Sequence, residues 1–218
     1  MKKLIFSLIL LLFTSSVCIA SGMSNLSADE ALQKLKEGNI RFQEMHLSHP
    51  DLSKERRAEL LKGQHPFTAV LTCSDSRVPP ELIFDQGLGD IFEIRNAGNV
   101  LDKHVIGSIE YAVVHLGVKL VIIMGHEDCG AVTAAVKKAH EGKYIDSFIK
   151  SLQPAIKESK KHHGSCTITN TVKENAIIGA EELVKSDRII SHYVKEKGLL
   201  VIPAYYHLDD GEVEFLKR

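Results

Sequence analysis

The apolar residues of the chain fall into short continuous runs separated by longer stretches with helical spacing. The continuous runs predict strands, which we assign to residues 67–72, 91–95, 118–124, 199–205 and 213–216. The Asp210-Gly211 pair before the last run predicts a tight hairpin turn, which returns that run as an antiparallel edge strand. Runs such as VKLVIIM, which are apolar almost throughout, are typical of strands buried on both faces of a parallel sheet.

The stretches between these runs predict helices. Residues 102–116 carry apolar side chains at three- and four-residue intervals and are followed by Gly117, which ends the pattern. Further helices are predicted at residues 27–46, 53–62, 129–140, 146–162 and 171–197. Because strands and helices alternate, we expect an α/β fold: a mainly parallel, Rossmann-like sheet with an antiparallel C-terminal edge strand, flanking helices and an N-terminal helical arm.

The beginning of the chain has the composition of a targeting segment. Two lysines follow Met1, an apolar stretch comes next, and small residues lead to Ala20, so residues 1–20 are interpreted as a secretory signal peptide. The apolar stretch is shorter than the ~20 residues that span a bilayer. An uncleaved membrane anchor and a lipid attached at Cys18 are the alternative interpretations.

The mature chain is interpreted as one domain at residues 21–218, with a helical arm at 21–62 and an α/β core at 63–218. We expect it to be periplasmic or otherwise extracytoplasmic, without stable membrane association after signal cleavage. Of the 218 residues, 44% are hydrophobic and 25% are charged, as in ordinary globular proteins. The formal net charge of −1 argues against a nucleic-acid partner.

Three cysteines follow the predicted signal peptide: Cys73, Cys129 and Cys166. An odd number does not suit a disulfide framework, and unpaired thiols need a reason to persist in an oxidising compartment. Metal ligation is one such reason.

Two segments with metal-ligating side chains follow predicted strands. Cys73 comes directly after the strand at 67–72, and GHEDCG follows the strand at 118–124. Since the carboxyl ends of parallel strands meet at one edge of the sheet, we expect Cys73, His126 and Cys129 to converge there. Two thiolates and one imidazole make three ligands of a tetrahedral zinc site with its fourth position open, which is the catalytic pattern.

The spacing leaves two other interpretations open. Cys73 and Cys129 could be small buried apolar residues beside an ordinary loop histidine, because cysteine is often buried for packing alone. Cys166 could instead be a fourth ligand, which would make the zinc site structural.

Asp75 and Arg77 lie two residues apart on the same side of an extended segment, so their side chains can form a bidentate pair. On the protein surface such a pair would contribute little to the stability of the fold. Beside a metal, an ionised Asp75 can orient a hydroxide through a hydrogen bond, while Arg77 keeps the carboxylate ionised and aimed. If Arg77 released it, Asp75 itself could reach the metal and close the open position.

Four motifs in this order resemble those of the β-class carbonic anhydrases, in a bacterial secreted form. They are Cys-Ser-Asp-Ser-Arg at 73–77, Arg-Asn at 95–96, Glu-Tyr-Ala at 110–112 and Gly-His-x-x-Cys-Gly at 125–130. The resemblance extends from Leu26 to Leu216, which is nearly the whole mature chain.

The resemblance implies one Zn²⁺ per chain, held by Cys73, His126 and Cys129, with Asp75 and Arg77 as catalytic residues. The implied reaction is the reversible hydration of carbon dioxide to bicarbonate and a proton by a zinc-bound hydroxide. The implied partners are this small-molecule substrate and further copies of the chain, in a homodimer or a homotetramer.

Substrate-binding residues implied by the same resemblance are Gln64, Phe92, Ala97 and Tyr111, with Gln64 and Tyr111 acting across a subunit interface. The chain reads RNAGN where the family usually has RNVAN, so Ala97 replaces a valine of the pocket wall. This departure leaves carbonyl sulfide or carbon disulfide hydrolysis on the same scaffold as an alternative function. A non-catalytic zinc-binding protein is a further alternative.

Overall fold

The computed structural model of the chain describes residues 26–140, 142–164 and 167–217. The predicted signal peptide, Cys18 and Cys166 lie outside these ranges. The strands are β1 (Thr68–Cys73), β2 (Ile91–Asn96), β3 (Leu120–His126), β4 (Leu200–Tyr206) and β5 (Val213–Phe215). The helices are α1 (Ala28–Gln43), α2 (Lys54–Leu60), α3 (Pro80–Ile83), α4 (Lys103–His115), α5 (Gly130–Val136), α6 (Ile145–Ser151), α7 (Gln153–His163), α8 (Ile168–Ser186) and α9 (Arg188–Glu196).

The strands form one sheet in the order β2-β1-β3-β4-β5. β1 pairs in parallel with β2 and β3, and β3 pairs in parallel with β4. β5 runs antiparallel to β4 at the edge. The predicted α/β fold, with a mainly parallel sheet and an antiparallel C-terminal edge strand, is confirmed.

The core lies on both faces of this sheet. Successive side chains of a strand point to opposite faces, and β1 shows the consequence. Val70 packs into a cluster that includes residues of α1, α5 and α7, whereas Ala69 and Leu71 pack into a second cluster with residues of α4, α8 and α9. Both layers of helices are therefore needed to bury β1 and β3, whose residues are all buried.

Several predicted boundaries were wrong by a few residues. Val118 donates its backbone N–H to Ala112, so it still belongs to the turn that closes α4, and β3 begins only at Leu120. At its other end β3 runs on to His126, which was expected in the following loop but pairs with Tyr206 of β4. α5 is also shorter than predicted and ends at Val136.

Two long predicted helices are each divided in the structure. The stretch 146–162 breaks at Leu152, and Pro154, which has no N–H to donate, lies in the first turn of the next helix. The stretch 171–197 breaks at Asp187, whose extended backbone and side-chain bond to the N–H of Ile190 cap α9.

The predicted hairpin turn is longer than expected. β4 ends at Tyr206 and β5 begins at Val213, so residues 207–212 form the connection instead of two turn residues. Gly211 lies in this connection with φ of +80°, a left-handed conformation that favours glycine.

The arm that begins with α1 is fixed to the core at its far end. A reciprocal cap between Ser27 and Glu30 starts α1. Where the arm leaves α1, the buried carboxylate of Asp85 accepts hydrogen bonds from Arg41, Ser48 and His49. The arm therefore packs against Asp85, two residues after the end of α3.

Within the ranges that the structure describes, no helix combines the length and the apolar character required to cross a bilayer.

Candidate active site

The three predicted metal ligands converge at the carboxyl end of the sheet. Cys73 is the last residue of β1, His126 is the last residue of the neighbouring β3, and Cys129 caps α5. The two Sγ atoms lie 4.0 Å apart. One ligand atom from each of the three residues lies within 4.8 Å of the other two. The prediction that these side chains meet at one point agrees with this placement.

His126 offers a free ring nitrogen to this cluster. Its Nδ1 lies 2.7 Å from the carbonyl oxygen of Glu127, which makes Nδ1 the protonated nitrogen. Its Nε2 is buried and has no hydrogen-bond partner among the described residues. A buried polar atom without a partner destabilises the fold unless something binds it, and a metal ion would bind this nitrogen.

The two thiols are electrostatically coupled. The hydrogen bond from Cys129 lowers the pKa of Cys73 against the opposing effect of burial, to about 4. The same bond, together with burial, raises the pKa of the Cys129 thiol. Both sulfurs can be ionised together only if a cation neutralises them, and two thiolates with one imidazole are ligands that Zn²⁺ accepts. The residues present therefore fit a zinc ion.

The Asp75–Arg77 pair lies beside the cluster. Arg77 donates from Nε to Oδ1 of Asp75 at 2.9 Å and from Nη2 to Oδ2 at 2.8 Å. These bonds hold the pKa of Asp75 well below its usual range. Oδ2 of Asp75 is also 3.9 Å from Nε2 of His126, so the carboxylate reaches the edge of the cluster of candidate ligands.

Two residues at the site were given no role there by the sequence pattern. Arg95 donates from Nε to the carbonyl of Cys73 and from Nη2 to the carbonyl of Asp75, and so supports the backbone that carries both side chains. Gly98 donates its backbone N–H to Sγ of Cys73 at 3.3 Å. The β1–β2 register, which pairs Asn96 with Cys73, brings both residues to the site. This register is known only from the folded sheet and could not be predicted from the sequence.

The comparisons with known proteins agree with this geometry. The family model described as carbonic anhydrase matches residues 68–213. Carbonic anhydrase 2 of Mycobacterium tuberculosis is 37% identical over 193 residues, which cover 87% of this chain and 93% of that protein. The chain belongs to the β-class carbonic anhydrase family.

Solved β-carbonic anhydrases share the fold. The structure of one from Aspergillus fumigatus superimposes with a TM-score of 0.68 at 30% identity, covering 87% of this chain and 90% of that one. A tetrameric β-carbonic anhydrase of Sordaria macrospora superimposes with a TM-score of 0.69 at 26% identity, covering 74% of this chain and 86% of that one. The predicted family and enzyme class are confirmed at this level.

The pocket residues expected of a β-class carbonic anhydrase do not all lie beside the candidate metal ligands Cys73, His126 and Cys129. Ala97 opens the 3-10 turn (Ala97–Asn99) that contains Gly98 and is therefore next to the cluster. Gln64 is exposed and precedes the amino end of β1, whereas Cys73 is at the carboxyl end of the same strand. Because a strand rises about 3.3 Å per residue, Gln64 lies far from the metal cluster of its own chain.

Phe92 and Tyr111 are also distant from the cluster of their own chain. Their ring centroids are 6.0 Å apart, and the Tyr111 side chain is 47% exposed. Phe92 pairs with Ala69, four residues before Cys73, which puts it on the order of 13 Å along the strand from the cluster. The two rings therefore form an open aromatic patch beside the edge strand β2.

A second group of possible ligands was not expected. Glu127, His207 and Asp209 bring one ligand atom each within 4.8 Å of the others. Asp209 is exposed, and the carboxylate of Glu127 already accepts a hydrogen bond from the N–H of Leu208. The buried sulfur-containing cluster is the better fit to zinc.

Proposed function

We propose that this chain is a zinc-dependent enzyme for the reversible hydration of carbon dioxide to bicarbonate and a proton. The observation that carries the proposal is a buried cluster of two thiols and an unpartnered imidazole nitrogen beside an intact carboxylate–guanidinium pair. Its assignment to a family of carbonic anhydrases supports the same reaction. A purely structural metal site would have no use for that pair.

Cys73, His126 and Cys129 hold one Zn²⁺ per chain in this proposal. The metal supplies a Lewis acid that makes water acidic enough to lose a proton near neutral pH. Asp75 accepts a hydrogen bond from the attacking water and orients its lone pair towards carbon dioxide. Arg77 keeps Asp75 ionised and prevents it from turning onto the metal.

The substrate pocket is built from apolar walls in this proposal. Phe92, Ala97 and Tyr111 exclude water from around carbon dioxide, and Gln64 donates a hydrogen bond to a substrate oxygen. Since Gln64, Phe92 and Tyr111 lie away from the cluster of their own chain, they act on the site of a neighbouring subunit. A homodimer or a homotetramer follows, and the tetrameric Sordaria protein supports this kind of assembly.

The proposed place of action is the periplasm or another extracytoplasmic compartment. Its support is the composition of residues 1–20, with the mature single domain at 21–218. No nucleic-acid partner and no stable membrane association are proposed for the mature chain.

The deciding experiment is stopped-flow hydration of carbon dioxide by the zinc-loaded mature chain, from about pH 6.5 to about pH 9. We expect activity that rises with pH, and a large loss of activity in the Asp75→Asn variant. A zinc-loaded protein without activity across this range would refute the proposal. Carbonyl sulfide and carbon disulfide would then be assayed, because Ala97 alters the pocket wall.

A further inference from the structure

A helix outside the site is connected to one of the zinc-ligating sulfurs through a single glycine. Asn175 lies on α8, is 9% exposed, and donates from Nδ2 to the carbonyl oxygen of Gly98 at 3.0 Å. Gly98 in turn donates its own N–H to Sγ of Cys73 at 3.3 Å. Both bonds are buried, so solvent water does not compete with either donor.

The turn that carries Gly98 is closed on itself before Asn175 reaches it. The side chain of Asn96 accepts from the N–H of Val100 at 2.9 Å and donates to the carbonyl of the same residue at 2.8 Å. These bonds fix the ends of the turn. Gly98 lies at its middle with φ of +74°.

Glycine is favoured at this position for two reasons. A left-handed backbone is strained for other residues, and a Cβ added to Gly98 would approach Cβ of Ala131 to 3.1 Å. Glycine also has the fewest steric limits on its dihedrals, so it does not hold its own N–H in one direction. The N–H and the carbonyl of Gly98 belong to adjacent peptide planes that meet at its Cα. A bond to the carbonyl fixes one of these planes, and the closed turn then limits the direction of the other.

The same helix also supports the strand that carries His126. Val172 lies one turn before Asn175, and a Cβ added to Gly125 would approach its Cγ1 to 2.4 Å. Gly125 therefore lets α8 pack directly against β3 beside the histidine. One face of α8 thus contacts the supports of both Cys73 and His126.

We propose that Asn175 is a positioning residue for the metal centre, which fixes the carbonyl of Gly98 so that the Gly98 N–H is aimed at the sulfur of Cys73. A hydrogen bond to a ligating thiolate orients the sulfur and stabilises its charge. The inference rests on the proposed zinc site. It adds that the affinity of that site depends on a residue that touches neither metal nor substrate.

The first test uses the unchanged protein. With ¹¹³Cd in place of zinc, the amide proton of Gly98 is expected to show scalar coupling to the metal through the N–H···S bond in NMR spectra. A Gly98 amide without this coupling, in a protein whose three ligands hold cadmium, would overturn the proposal. This result needs no variant and no turnover.

The second test compares Asn175→Leu with the matched control Asn170→Leu on the first turn of the same helix. Leucine keeps similar volume but has no donor. We expect Asn175→Leu to fold, to bind zinc about 10- to 100-fold more weakly in a chelator competition, and to shift the thiolate charge-transfer band of the Co²⁺ form. The control should match the wild type in both measurements.

A zinc affinity of Asn175→Leu within about twofold of the wild type, with an unchanged Co²⁺ spectrum, would overturn the proposal. These readouts are separate from catalysis. A wild type that binds zinc but hydrates no carbon dioxide would refute the proposed function and leave the inference intact. Normal hydration by the wild type, together with a zinc affinity of Asn175→Leu equal to that of the wild type, would refute the inference and leave the proposed function intact.

Discussion

Asp75 accepts three hydrogen bonds from Arg77, two from the guanidinium and one from the backbone N–H at 3.0 Å. The third bond closes a local turn that fixes the spacing of the two residues. Arg95 holds the carbonyls on either side of Ser74 at the same time. The carboxylate is therefore held in place from its side chain and from its backbone before any substrate arrives.

Replacing Arg77 by Ala is expected to lower kcat/KM for carbon dioxide hydration by about 10- to 100-fold, with bound zinc unchanged. The freed carboxylate can turn towards the metal cluster, since Oδ2 is already 3.9 Å from Nε2 of His126. Stopped-flow kinetics and metal analysis of the same sample measure both quantities. Arg57→Ala, which removes an exposed arginine on α2, is the control. Activity within twofold of the wild type would exclude a role for Arg77 in holding Asp75.

The Cys129→Ser variant is expected to lose most of its zinc, because it removes one of three buried ligands. The Cys166→Ser variant is expected to keep one zinc per chain and full activity. Cys166 lies outside the described residues. The Cys166→Ser variant distinguishes the three-ligand catalytic site from the four-ligand structural alternative. Loss of zinc in Cys166→Ser would favour the structural site.

The convergence of Cys73, His126 and Cys129 could be predicted from sequence because each residue is fixed by its local position. Cys73 directly follows one predicted apolar strand, and His126 and Cys129, three residues apart, follow another. Parallel pairing of neighbouring strands then brings them together. The prediction needed no knowledge of contacts between distant side chains.

The supporting groups were not predictable in the same way. Asn175 meets Gly98 from a position 77 residues further along the chain, and nothing in its neighbourhood marks it. Gln64 and Tyr111 are proposed as substrate-binding residues only through the family resemblance, since neither lies near the cluster of its own chain. Helix breaks at Leu152 and Asp187 were missed because apolar spacing continues across both.

Asp85 provides a prediction about acid stability. Burial opposes its ionisation, but hydrogen bonds from Ser48, Arg41 and His49 outweigh this effect and lower its pKa to about 2. An unfolded aspartate has a pKa of about 3.9. The ionised form therefore stabilises the fold above about pH 4, and this contribution is lost as the pH falls from about 4 towards 2.

The Asp85→Asn variant is expected to lower the free energy of unfolding by roughly 1–3 kcal/mol at neutral pH. Asparagine tolerates the left-handed backbone at this position, where φ is +45°, so the substitution removes the charge and one accepting oxygen without straining the backbone. Denaturant unfolding of wild type and variant should converge as the pH drops below about 4. Asp51→Asn, an exposed carboxylate in the same loop region, is the control. A constant difference at all pH values would show that ionisation of Asp85 does not contribute.

The proposed sharing of sites between subunits can be tested by complementation. A Gln64→Ala chain keeps its metal ligands but cannot complete its neighbour's pocket, and a Cys73→Ser chain has the opposite defect. Neither homomer should be active.

In a mixed dimer, the intact Cys73 of one chain faces the intact Gln64 of the other, so one of the two sites is complete. We expect purified heterodimers to regain roughly half of the wild-type activity per dimer, because two-fold symmetry gives each dimer two equivalent sites. Heterodimers as inactive as their parents would mean that each chain uses its own Gln64, contrary to the separation of Gln64 and Cys73 at opposite ends of β1.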